Sequence, residues 1–167
     1  MLLLAGCGGA AAPEPRSYDL GLEAPAAKLS GARIGTVRGV APFDGTDMQY
    51  RLAYRNAAEV ASYANSRWAA TPAEMFRKQL QRAATDGGKC VLAVEIQEFT
   101  QVFSAKDASE ARLELRASLS SGAAKQFSVA EANAGSDAVG GASALARASN
   151  RAIGELGAWI AAQPGCR

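Results

Sequence analysis

The sequence predicts an α+β domain: a mostly antiparallel or mixed β-sheet with two main helices packed on one of its faces. Three observations carry this. Met48–Arg55 and Ala111–Leu119 alternate apolar and polar residues with a period of two, the mark of half-buried strands. Thr71-Pro72-Ala73-Glu74 is a helix start, with a capping residue, proline at the first helical position and a glutamate to close the capping box. Leu145, Ala152, Ile153, Leu156 and Ile160 recur at helical spacing. The predicted order is β-ββ-α-βββ-α, with helices segregated to one side of the sheet.

Taken in order, Tyr18-Asp19-Leu20-Gly21 begins ordered chain as a short edge strand, and residues 22–32, rich in Ala and Pro, read as loop. Arg33–Val40 is a strand closed by Pro42, which offers no donor to a ladder. Asp44-Gly45 turns the chain. In Met48–Arg55, Met48, Tyr50, Leu52 and Tyr54 share one face, and Gln49, Arg51, Ala53 and Arg55 the other. Asn56-Ala57-Ala58 turns it into a returning strand, Glu59–Ala64, so that 48–64 forms a hairpin.

The helix opened by Thr71 carries an apolar stripe of Phe76, Leu80, Ala83 and Ala84, sends Arg77, Lys78, Gln81 and Arg82 to water, and stops at Asp86-Gly87-Gly88. Cys90–Phe103 is a long strand. Val91-Leu92-Ala93-Val94 is apolar on both faces and therefore central, while the second half extends into solvent. Ala111–Leu119 and Lys125–Glu131 complete a three-strand meander through turns at Lys106–Ser109 and Ser121-Gly122. Residues 133–142 read as Gly/Ser/Ala-rich loop, with Asp137 as a candidate cap. A C-terminal helix containing Trp159 follows, ended by Pro164-Gly165.

Composition limits the chemistry. Lys+Arg number 18 and Asp+Glu 16, for a net charge of +2, without a basic block suited to nucleic acid. There is no histidine, which removes Ser-His-Asp and Cys-His arrangements and His-rich zinc sites. Three cysteines fall one short of an all-cysteine tetrahedral site. Gly87-Gly88-Lys89 lacks the earlier glycine of a phosphate loop and is followed by Cys90, so it reads as a turn. Glu95 and Glu98 are the nearest approach to an acid/base pair, but residues i and i+3 of a regular strand point to opposite faces.

The stretch that fixes the expected location is Leu4-Ala5-Gly6-Cys7, which resembles the lipobox of a bacterial lipoprotein. On that likeness residues 1–6 are the remnant of a signal peptide, Cys7 is the lipid-modified residue, and 7–17 form a lipidated tether of small residues and prolines ahead of one domain, 18–167. Each buried methylene of an acyl chain contributes about 0.8 kcal/mol, so a multiply acylated Cys7 anchors the chain stably. Cys90 and Cys166 are then left either as a disulfide, which persists in an exported protein, or as two separate thiols.

The chain as a whole resembles the ABC-type transport auxiliary lipoproteins, the PqiC-like or YmbA-type family. The likeness lies in the lipobox, Tyr18-Asp19-Leu20-Gly21, Val40-Ala41-Pro42-Phe43, Gln49–Arg55, Tyr63-Ala64, Arg67-Trp68-Ala69, Thr71-Pro72, Val94–Phe99 and the final helix with Trp159. It implies a non-enzymatic protein on the periplasmic face of the outer membrane, without cofactor or metal. Its partners would be an MCE-domain periplasmic protein and an ABC permease/ATPase complex moving lipids or other hydrophobic molecules, and it would have the capacity to form homo-oligomeric rings. Gly8 after the cysteine fits outer-membrane sorting. Arg51 and Arg55, on one strand face, are the candidate docking residues, and Trp68 is either a core plug at the helix entry or a docking hot spot. A structural lipoprotein of another envelope machine, a secretion pilot or an assembly factor, is the alternative.

Overall fold

The computed structural model describes residues 14–85, 87–132 and 135–166. Cys7, the lipobox and most of the expected tether lie outside the described residues. Seven strands form one sheet: β1 (Arg16–Tyr18), β2 (Ala32–Gly39), β3 (Asp47–Leu52), β4 (Ala61–Trp68), β5 (Cys90–Phe103), β6 (Ser109–Leu119) and β7 (Ala124–Ala132). A single helical turn, α1 (Ala53–Asn56), joins β3 to β4, and two substantial helices, α2 (Pro72–Ala83) and α3 (Ala138–Ala161), pack against the sheet. The α+β architecture is the expected one.

β5 is the axis of the sheet. On one edge it pairs antiparallel with β6 along nearly its whole length. On the other edge β2 runs parallel to its first half and β3 parallel to its last three residues, so two short strands together line one long one. The hairpin β3–β4 and then β1, parallel to β4, extend that side, and β7 closes the other.

Alternation decides which face is covered. Leu92, Val94, Ile96 and Phe99 of β5 and Ala111, Leu113, Leu115, Ala117 and Leu119 of β6 point to the helices and are all buried. They meet Phe76 and Leu80 of α2 and Leu145, Ala152, Ile153 and Leu156 of α3. Each such large side chain contributes about 1.5–3 kcal/mol on full burial.

Several expectations need correction. First, the strand from Met48 ends at Leu52, because its partner β5 ends at Phe103, opposite Leu52. Tyr54 and Arg55 therefore sit on α1, exposed. Second, the returning strand runs Ala61–Trp68, later and longer than Glu59–Ala64, and the first edge strand is Arg16–Tyr18 rather than 18–21.

Third, the second half of β5 is not solvated: Thr100 and Gln101 are fully buried. Gln101 accepts from the Tyr63 hydroxyl at 2.7 Å and donates to Ser109 Oγ at 3.0 Å, so its burial is compensated. Fourth, α3 starts at Ala138, within the expected loop 133–142, and Asp137 caps it by accepting from the Gly140 amide at 2.8 Å. Gly141 is read as a loop residue from sequence, yet it is needed in the helix. A Cβ there would lie 2.2 Å from Gln101 Oε1 and 3.3 Å from Met48 Cε.

The turn at Gly87 has φ of +88°, and Gly88 is pressed against the backbone of Ala32, so the segment closes a turn. The C-terminal turn Pro164–Cys166 is tied to the start of β5 by a Cys90–Cys166 disulfide, with Cα atoms 5.0 Å apart. Of the two alternatives for these cysteines, the bridge is the one found.

Candidate functional site

The face of the sheet away from α2 and α3 carries no comparable cover among the described residues, and it is built from charged side chains. β5 presents Glu95, Gln97, Glu98 and Thr100 there, and β6 presents Glu110, Arg112, Glu114 and Arg116. β2 contributes Arg38 and β3 contributes Arg51. The strand rule that separates Glu95 from Glu98 fails because β5 bulges between Ile96 and Glu98. One extra residue shifts the alternation, so that Ile96 and Phe99 both face the helices and Glu95 and Glu98 both face out. The signal was legible: the inward apolar positions step by two up to Ile96 and then by three to Phe99.

The two β5 glutamates each take an arginine partner. Arg51 grips Glu98 with two parallel hydrogen bonds, Nε to Oε1 at 2.8 Å and Nη2 to Oε2 at 2.9 Å, while Thr100 Oγ1 donates to the same Oε1 at 2.6 Å. The pair is largely sheltered, with side-chain exposures of 20% and 13%. Glu114 sits opposite Glu98 across the ladder. The hydrogen bond to Glu98 first, and then the charges of Glu98 and Glu114, raise the Arg51 pKa above its ordinary value. One guanidinium thus offsets two carboxylates that would otherwise repel.

The second pair, Arg38 with Glu95, is more open, and Arg116 stands directly across from Glu95 on β6. Around them Thr36, Ala93 and Ser118 complete a depression of about 410 Å³. Gln97 and Gln126 extend the polar network toward β7 through hydrogen bonds of 3.4 and 3.5 Å. Glu95 and Glu98 of β5 are each occupied by an arginine, and Arg112 pairs with Glu110 on β6 at 2.6 Å, so the face is an ion-pair lattice.

Of the docking candidates read from sequence, only Arg51 is on this face. Arg55 leaves it with α1 and is exposed near Tyr54. Trp68 is 1% exposed and stacks edge-on against Phe99 at 5.3 Å, so it is the core plug and has no surface to offer a partner. Among the described residues no group of three or more His, Cys, Asp or Glu side chains is arranged to hold a metal ion. None of the described helices is long and apolar enough to cross a membrane.

No family model matches the chain. No curated protein matches it either. The fold is similar to the crystal structure of a Xanthomonas campestris protein described by the family model DUF330, with a TM-score of 0.68 and 18% identity over 83% of this chain and 94% of that one. It is also similar to the crystal structure of an uncharacterized protein, with a TM-score of 0.65 and 13% identity over 89% of this chain and 99% of that one. At such identities the likeness is one of fold.

Proposed function

We propose that the chain is a lipid-anchored, non-catalytic accessory subunit of an ABC/MCE-type envelope transport system for lipids or other hydrophobic molecules. On this reading it is held at the periplasmic face of the outer membrane through Cys7. The observation that carries the proposal is the lipobox Leu4-Ala5-Gly6-Cys7 set ahead of the run Gln49–Arg55, Arg67-Trp68-Ala69 and Thr71-Pro72. Its physical sense is supported by what that run builds. It supplies β3, the end of β4 and the entry to α2, and through Arg51 it delivers a fixed positive group to the uncovered face. A preorganised, ion-paired face with little apolar content suits a reversible polar interface, where charge sets partner choice and encounter rate more than raw affinity.

The test is purification of the tagged protein from detergent-solubilised envelope, with wild type and Arg38→Glu compared. An MCE-domain protein and an ABC permease recovered with wild type, and depleted with R38E, support the reading. Recovery of a secretion or assembly complex instead would move the protein to the alternative class.

A further inference from the structure

The helix-side surface carries a second feature that the docking face does not use. Residues Tyr18–Leu22 run between α2 and α3, with a depression on each side, one of about 320 Å³ against Met75 of α2 and one of about 310 Å³ against Val139 of α3. At the end of this strap Leu22 is 86% exposed, and across the strap Val139 is 47% exposed. The strap is fixed: Leu20 is buried, and Arg82 donates to the Leu22 carbonyl at 3.2 Å. Leu22 is therefore held outward on a firm backbone with most of its surface open.

Only eight residues separate Cys7 from Arg16, the first residue of β1. A chain of that length reaches no more than about 30 Å even when fully extended. A domain of this size is roughly 40 Å across. A bilayer holding Cys7 therefore lies within about 30 Å of the β1 end of the domain, where the strap begins. We propose that Leu22 and Val139 dip into the headgroup–acyl boundary of that bilayer and set the orientation of the domain on it, leaving the charged sheet face turned toward the periplasm. Charge does not drive this contact, because Arg16, Lys78 and Arg82 near the strap are outnumbered by Glu14, Asp19, Glu23 and Glu74. The occupant it fits is the apolar layer of a lipid surface, and binding should be insensitive to salt. This inference rests on the lipid anchor at Cys7.

The test uses the full lipidated chain in vesicles of phosphatidylethanolamine and phosphatidylglycerol, some made with acyl chains brominated near the headgroup. Leu22→Trp and Val139→Trp should each show a blue-shifted emission relative to the wild-type background, and the bromines should quench the added signal at least twofold. Val91→Trp, on the uncovered sheet face, should show no added quenching. Membrane-bound protein whose L22W and V139W signals stay unquenched would overturn the orientation and leave the anchor standing. Wild-type chain isolated from envelope without acyl groups would remove the anchor, and the orientation with it.

Discussion

Arg51 gathers most of the site's electrostatics into one side chain. Removing it leaves Glu98 sheltered and facing Glu114 with nothing between them. Arg51→Ala should cost about 2 kcal/mol of stability, within the range for breaking a sheltered, hydrogen-bonded ion pair. Arg51→Ala with Glu98→Ala should cost less than the two single losses summed, because the double variant strands no charge. Urea unfolding of the four proteins measures both. The sequence showed Arg51 as a polar residue on an amphipathic strand, but it held no sign of the partner, which lies 47 residues away. Trp68 was legible only as a choice between core and surface. Burial at the β4–α2 junction against Phe99 resolves it.

At the scale of elements, α2 was the most legible because its signals are local. Thr71 Oγ1 accepts from the Glu74 amide at 3.3 Å, and Glu74 accepts from the Thr71 amide at 2.9 Å. Thr71→Ala should lower stability by about 1 kcal/mol, read from the thermal midpoint. Two bonds to the Glu74 carboxylate lower its pKa, the Thr71 backbone amide first and then the Thr71 hydroxyl, which donates to Oε2 at 2.8 Å. A carboxyl with a depressed folded pKa contributes stability that is present above its ordinary, unfolded range and lost as pH falls through the folded value. The gap between wild type and Glu74→Gln should therefore be widest near neutral pH and shrink as the solution is acidified below about pH 4. A gap that widens on acidification would contradict the capping role. The other elements were less legible where they depend on distant partners. β3 ends where β5 runs out, and α3 passes Gln101 closely only because residue 141 is a glycine. Neither partner lies within a few residues in sequence.

On the whole molecule two things bear. The Cys90–Cys166 bridge joins residues 76 apart, and closing so long a loop restricts the unfolded chain by about 4 kcal/mol. Reduction, or Cys166→Ser, should lower unfolding stability by an amount of that order while leaving the native circular dichroism spectrum in place. A change below about 1 kcal/mol would mean that the reduced chain is already restricted by other means. The second is placement. Fold class and the order of the main elements were readable because they follow from periodicity, but the location and task of the domain hang on the first residues of the chain and on partners outside it. The account makes one sulfur, that of Cys7, the point through which an ion-paired polar surface is held at a membrane. The most direct measurement is the intact mass of the mature protein isolated from envelope membranes. The account predicts a chain beginning at Cys7 and carrying acyl groups, with Cys7→Ser recovered unacylated in the soluble fraction. A wild-type chain found soluble and without acyl mass would contradict it.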